Sequence, residues 1–553
     1  MRMRRTLEVL LITACVCWGQ GGGRGRGNAN QQAQPPAQQP PAQPAAAPQA
    51  GRGGRGGGGG EPATSEFYNF ETTAGPGQTI PDSGPVETRQ KITWNGQPLA
   101  YTVRAGFMPV RNATTGQSEA HVFYTSYSKD GAEGAGRPIV FFFGGAPGVS
   151  AAWQEFGGLG PKRMKPAGEA GEGQPSGWAD NPNTLLGQAD LVFVNPVGTA
   201  FSRPDRPDHG PSFWNTGADI ASLGEFVRAY LGRSNRSGSP LFLAGEDAGT
   251  GRVGGLAGYL HEHDIPVQGV ALLSMSETPD AAAGDAQYIT LLPSLVMSAW
   301  YHKKLAPDMA AMSAEQISAQ ARQFASREYL HALYKGDRMS AEERAKVIAD
   351  LARFTGLSKQ FVVSNDLRIT LDRFNGELMR EQHRALSPSD ARVTGFVPPA
   401  AGGRGGGGFG FAAAPPIDFN TSNLAAPFLS SYESYLRREL TFTPPNDSIY
   451  YLMSGGVGGF TSTGNDDASM AAAFARNANL RLFVAINYYD LSAPFYATEY
   501  TLAHLNVAPE VRAHNITVSH YEAGQMTYLD NKELAKLQRD LASFVTESTS
   551  AHK

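Results

Sequence analysis

Apolar and polar positions alternate in the early part of this chain and then change their rhythm. Lys91-Ile-Thr-Trp94 and Leu99-Ala-Tyr-Thr-Val103 flank Asn95-Gly96, a dipeptide suited to a two-residue hairpin turn. Ala120 to Tyr127 reads as a further strand. Short, mostly apolar runs follow: Pro138 to Phe143, Asp190 to Val194, Pro240 to Leu243, Gly269 to Leu273 and Leu480 to Ala485. Such runs suit parallel strands covered on both faces. Stretches of helical spacing separate them, as over Gly217 to Leu231. The pattern predicts an α/β fold, a mixed and mostly parallel sheet with an antiparallel edge.

Between about 277 and 446 the strand-like runs stop. Gln287 to Lys304, Ala314 to Leu333, Ala341 to Thr355 and Arg373 to Ala385 carry helical periodicity instead. Leu480 resumes the sheet, Asn515 to Tyr521 supplies a last strand, and Asn531 to Val545 a closing helix. A helical cap inserted at this point lies over the C-terminal ends of the strands, where such sheets carry their sites. The expected organisation is an export signal (1–19), a linker (20–66), the first part of the core (67–276), the cap (277–446) and the second part of the core (447–553).

The N-terminus changes the picture of where the protein works. Met1-Arg-Met-Arg-Arg5 is a basic start and Val9 to Val16 an apolar stretch, the pattern of a secretory signal and too short for an ordinary membrane-spanning helix. Cleavage after Gly19 would release a chain beginning at Gln20. The competing reading takes Ile12-Thr-Ala-Cys15 as a lipobox, with Cys15 lipidated. The plain signal is favoured, which puts the protein in the periplasm or outside the cell, with membrane attachment only if Cys15 is lipidated. Cys15 and Cys17 are the only cysteines, so after cleavage no disulfide framework or cysteine zinc site is available. No acidic residue occurs between Val9 and Gly60, and residues 21–61 are mainly Gly, Arg, Gln, Pro and Ala. Such a segment cannot offset its ordering entropy by burial and is expected to be a disordered tether. Its RG steps at Arg24, Arg26, Arg52 and Arg55 read better as a mildly basic linker than as an RNA-binding tract. The same composition at Gly402 to Gly408 reads as an exposed loop. A net charge of −4 over 553 residues gives no electrostatic reason to expect nucleic acid or an anionic membrane as partner.

The chemistry centres on Pro240 to Leu260. Apolar Leu241 to Ala244, then Gly245-Glu-Asp-Ala-Gly249, then small and apolar residues at helical spacing make strand, sharp turn and helix, the backbone of a nucleophile elbow. The two glycines let strand and helix approach closely. The apex residue, which an elbow holds above the sheet, is Asp247 rather than Ser or Cys.

Several stretches together resemble the serine carboxypeptidase family of α/β-hydrolases, in its bacterial exported branch. They are Phe143-Gly-Gly-Ala-Pro-Gly148, Phe156-Gly-Gly-Leu-Gly-Pro-Lys162, Leu191 to Thr199 with Phe201-Ser-Arg203, the elbow, Ile289 to Leu305, Tyr488-Tyr-Asp-Leu-Ser-Ala-Pro494 and Tyr521-Glu-Ala-Gly-Gln-Met-Thr-Tyr528. The resemblance runs in order from Lys91 onward. It implies an α/β-hydrolase sheet with a helical cap and release of C-terminal residues from peptides. The triad positions it implies are Asp247 for the nucleophile, Asp490 for the carboxylate and Gln525 for the histidine. It puts the oxyanion-hole amides at Ala146 and Ala248, and the substrate-binding positions at Gly144 (asparagine in the family), Gly145 and Glu246. The family reaction needs a hydroxyl nucleophile and an imidazole that takes and returns its proton. An amide cannot do the latter near neutral pH, so Asp247 and Gln525 imply a catalytically impaired relative that binds a peptide or small molecule in the old cleft.

Two readings of other classes stand beside it: a hydrolase with Asp247 as carboxylate nucleophile, and a surface scaffold without a ligand. The first lacks a base to activate water unless His520 moves in, and His520 lies five residues before Gln525 on the last predicted strand. Asp247, Asp490 and Gln525 could offer oxygen ligands to a hard cation, but nothing in their spacing demands one, and no metal or cofactor is expected. A simpler arrangement has the Gln525 amide donating toward the two carboxylates. His261-Glu-His263 lacks the spacing that puts two ligands on one helical face. Tyr488-Tyr489 and Trp300-Tyr301-His302 fit core packing better than a pocket.

Overall fold

The structure, a computed structural model, describes residues 80, 82–132, 134, 136–145, 148–165, 177–275, 284–397, 417–444, 460 and 466–550. The expected export signal, the linker, the Gly402–Gly408 loop and Ala146 lie outside the described residues. The chain divides into two units, Met1–Ala63 and Thr64–Lys553, and everything below concerns the second.

The sheet begins with β1 (Val86–Trp94), β2 (Gln97–Arg111) and β3 (Ser118–Lys129), all antiparallel. Asn95 and Gly96 join the first two with φ of 49° and 73°, the two left-handed residues that the tight hairpin turn requires. The parallel block comprises β4 (Ile139–Phe143), β5 (Asp190–Val194), β6 (Leu241–Asp247), β7 (Gly269–Met275), β8 (Arg481–Asn487) and β9 (Ile516–Tyr521). The spatial order is β1-β2-β3-β5-β4-β6-β7-β8-β9, with a two-residue strand, Arg203–Pro204, also paired to β3. The strand expectations hold: most runs extend by a few residues, whereas Asp190–Val194 is unchanged and the first and last parallel strands start one residue later, at Ile139 and Ile516.

Neighbouring residues of a strand face opposite sides of a sheet, and both sides are dry here. Phe141, Leu243, Leu272 and Val484 pack on one face with α1 (Thr216–Arg233) and α2 (Gly249–Glu262). Phe142, Phe242, Ala271 and Phe483 pack on the other with the C-terminal helix Asn531–Ser550. This double burial explains why the central strands read as continuous apolar runs.

The insertion after β7 contributes α3 (Ala286–Tyr301), α4 (Ala314–Phe324) and α5 (Ala341–Thr355), which share the first core through Leu292, Ile317 and Leu351. Ser313 with Gln316 and Ser340 with Glu343 form capping boxes that start α4 and α5 by satisfying otherwise free N–H groups. The predicted helix Ala314–Leu333 is interrupted by a wider π-type turn at Ala325–Tyr329. The predicted helix Arg373–Ala385 is corrected: the helix covers only Leu371–Glu377, and Arg384–Leu386 instead pairs antiparallel with Thr394–Phe396. His383, in the left-handed region at φ 54°, turns the chain between them. Strands therefore do occur in the insertion. A long helix, α6 (Phe419–Arg438), follows and packs Phe428, Tyr432 and Tyr435 into the second core. Beyond it come α7 (Asp466–Arg476), α8 (Phe495–His504) and α9 (Asn531–Ser550).

Candidate active site

Asp247 ends β6 and α2 starts two residues later, so the chain reverses within Glu246 to Gly249. Asp247 takes φ 51°, a left-handed backbone that is unfavourable for most side chains and persists where surrounding packing imposes it. The packing is visible. A Cβ on Gly245 would stand 2.3 Å from the Gly249 carbonyl oxygen, and a Cβ on Gly249 would stand 2.3 Å from the Gly144 carbonyl oxygen. Strand, helix and the Gly144 loop thus touch backbone to backbone, and only glycine fits at both places. Thr250 Oγ1 donates to the Asp247 carbonyl at 2.6 Å and closes the turn. A strained residue at the tip of the strand that feeds a helix, at the C-terminal edge of this sheet order, decides the fold. This is the α/β-hydrolase fold.

No protein-family model matches the sequence, and no curated protein matches it. Among solved structures, a loop variant of the haloalkane dehalogenase DbeA from Bradyrhizobium elkanii is 13% identical, with 84% of this chain and 99% of that chain covered and a TM-score of 0.27. A putative lipase from Sulfolobus solfataricus gives 11%, 85%, 99% and 0.32. A thermostable carboxyl esterase from Bacillus coagulans gives 10%, 81%, 99% and 0.32. The fold assignment stands on the strand order and the elbow, and these likenesses add nothing about activity.

The loop after β4 lies directly against the elbow, since a Cβ on Gly145 would be 3.6 Å from Asp247 Cβ. Arg252, one turn into α2, holds this loop. Its Nη1 donates to the Gly144 and Gly145 carbonyls at 2.9 and 3.0 Å, and its Nε to Asp219 Oδ2 at 2.6 Å. Asn195 Oδ1 steadies the far side by accepting from Ser150 Oγ at 2.8 Å and the Ala151 amide at 3.0 Å. A Cβ on Gly144 would meet the Val149 carbonyl oxygen at 2.2 Å, so the asparagine that the family resemblance implies there could not enter without moving the loop. Of the two oxyanion-hole positions, Ala248 immediately precedes α2, where the first backbone N–H groups of a helix lack intrahelical partners.

Three carboxyl groups converge below the elbow. Asp490, fully buried just after β8, accepts from Ser274 Oγ, the Ser492 amide (2.9 Å) and the Ala493 amide (3.0 Å). Burial pushes it up to about 7, the Asp247 charge adds to this, and the three hydrogen bonds oppose it. Glu246 is only 5% exposed. Its Oε2 accepts from Tyr528 Oη at 2.8 Å. Burial raises its carboxyl to about 8, with help from the Asp247 and Asp490 charges and against hydrogen bonds from Tyr528 and Gln154. Glu246 Oε1 and Gln154 Oε1 are buried with no donor. Gln154 lies within reach of Glu246, while its own Nε2 is spent on the Phe143 carbonyl at 3.1 Å. Burial that raises the carboxyl toward about 8 favours the protonated form of Glu246 near neutral pH.

Gln525, where the resemblance implies the histidine, follows β9. Its backbone is pinned, with the amide donating to the Ser389 carbonyl at 2.7 Å and its carbonyl accepting from Thr527 N at 3.1 Å and Asn487 Nδ2 at 3.3 Å. Among the described residues its side chain makes no hydrogen bond to Asp490, which accepts from Ser274 and two backbone amides. Ser274 was missed by sequence reasoning. It interrupts the apolar run of β7, and at φ 52° its side chain turns toward Asp490. Arg252 was missed too, although an arginine in a helix of small residues was a signal.

His520 does not replace the missing base. Its Nε2 lies 2.6 Å from Glu499 Oε1 on α8 and its ring stacks on Tyr488. In His261-Glu-His263, Glu262 pairs with Arg476 and His263 Nδ1 donates to the Tyr259 carbonyl. Among the described residues no group of His, Cys, Asp and Glu has the arrangement of a metal site. Trp300 packs against the core and Tyr488 and Tyr489 lie within it, whereas Tyr301 is 45% exposed.

Proposed function

We propose that this is an exported, serine-carboxypeptidase-like α/β-hydrolase whose own chemistry is impaired and which binds a peptide or small molecule in the cleft beside the elbow. The observation that carries the reading is the set Asp247, Asp490 and Gln525 on an otherwise assembled elbow. Asp490, the carboxylate that the resemblance implies, accepts from Ser274 and backbone amides, whereas hydrolysis would need an imidazole beside it. The basic and then apolar N-terminus supports export.

The aspartate-nucleophile reading draws support from the strained placement of Asp247 alone. Attack by its carboxylate would leave an ester, and a base must activate water to clear it. Gln525 cannot do so, and His520 is tied to Glu499. Turnover of blocked dipeptides and p-nitrophenyl esters separates the readings. The proposal expects wild type and Asp247→Ala to give the same background rate. Turnover in wild type that Asp247→Ala removes would make Asp247 the nucleophile.

A further inference from the structure

A cavity of about 340 Å3 opens between the loop after β9, the turn at 390–393, the start of α6 and the short strand Lys162–Met164, within the size range of small-ligand pockets. It adjoins the elbow region. Leu529, next to the Tyr528 that holds Glu246, and Met526, next to Gln525, both line it. So does Tyr301, whose ring lies 5.3 Å from that of Tyr489, the neighbour of Asp490.

Its charges are unequally matched. Arg392 is satisfied by Asp390 (2.8 Å) and Asp530 (3.0 Å). Arg163, 7% exposed, is not. It makes no hydrogen bond or ion pair among the described residues, and its Nε is wholly covered without an acceptor. The carboxylate closest in the hairpin, Asp180, is taken by Lys162 at 2.6 Å. A buried charge is normally paired, because leaving water without compensation is costly. Burial accordingly lowers the Arg163 pKa. A planar guanidinium facing a cavity matches a carboxylate in two-pronged geometry. Met164, Leu424, Met526 and Leu529 give the same cavity apolar walls.

We propose that Arg163 anchors the carboxylate of an acyl amino acid or peptide C-terminus bound in this cavity. The apolar walls take the adjoining side chain or acyl group. The inference rests on the reading of the cleft as a binding site, but hydrolysis assays report on Asp247 while carboxylate binding reports on Arg163, so either can fail without the other.

The test uses full-length protein, with hippurate (benzoylglycine) and its uncharged amide as probes, by calorimetric titration and thermal unfolding. Hippurate should bind wild type and raise its unfolding midpoint, and the amide should bind at least about tenfold more weakly, the factor equivalent to about 1.4 kcal/mol. Arg163→Gln should weaken hippurate by a similar factor, and Arg163→Lys should restore part of it. Leu424→Trp, which fills the cavity and keeps Arg163, should also abolish binding and covers the case in which Arg163→Gln does not fold. Without probe, Arg163→Met should unfold at or above the wild-type midpoint, since it removes a charge with no partner among the described residues. The proposal is overturned if wild type does not bind hippurate, if the amide binds equally, or if hippurate binds Leu424→Trp or folded Arg163→Gln as well as wild type.

Discussion

Replacing Glu246 by glutamine should make folding stability less sensitive to alkaline pH. The carboxyl has an ordinary value of 4.5 and is raised to about 8 in the fold, chiefly by burial. The native state therefore holds this proton over a pH range in which the unfolded chain has released it. Stability then falls as pH rises from about 4.5 through about 8. At about 1.4 kcal/mol per pH unit the full interval corresponds to about 5 kcal/mol. Relaxation and water entry on ionisation reduce this, which makes about 2 to 5 kcal/mol the expected span. Glutamine carries no charge to bury at any pH. Its oxygen still accepts from Tyr528. Urea unfolding from pH 5 to 9 measures the effect. Glu246→Gln should match wild type near pH 5 and exceed it increasingly up to pH 9. A difference that stays constant with pH, or a variant that loses most at pH 9, would refute the protonated-acid account.

Two further substitutions test the scaffold of the elbow. Arg252→Met should lower stability by about 3 to 5 kcal/mol in urea unfolding, because it leaves Asp219 buried and unpaired; adding Asp219→Asn should recover part of the loss, and no recovery would mean that the pair is not what the single variant breaks. Gly249→Ala drives a methyl to within 2.3 Å of the Gly144 carbonyl oxygen and should cost about 3 kcal/mol or prevent folding. A variant as stable as wild type would mean that the elbow is not packed in this way.

The sheet was legible because its central strands are covered on both faces. Burial on both sides leaves apolar runs such as Ile139–Phe143 that little else produces in a chain with helical spacers. The elbow was legible because its glycines are dictated by backbone contact. The insertion was less so. The periodicity of Arg373 to Ala385 is compatible with a helix, and what ends it is a left-handed His383 and pairing with Thr394–Phe396, a non-local contact that no local pattern encodes. The candidate site was read from positions where the family reaction demands a side-chain type, Asp247, Asp490 and Gln525. Its supports were not. Ser274, Arg252 and Gln154 act on groups that are distant in sequence, and Arg163 stands out only once its burial and its lack of a partner among the described residues are known.

The proposed impairment amounts to a hydrolase scaffold that lacks two side chains of its chemistry, at Asp247 and Gln525. The direct measurement is hydrolysis of blocked dipeptides and small esters by the double variant Asp247→Ser with Gln525→His, beside wild type and each single variant. Ser274 already occupies Asp490, so restored activity also requires the new imidazole to share that carboxyl. The account predicts turnover in the double variant well above the other three, which should remain at the level of Asp247→Ala. Turnover in wild type that depends on Asp247, or a double variant that folds and binds substrate yet stays at background, would contradict it.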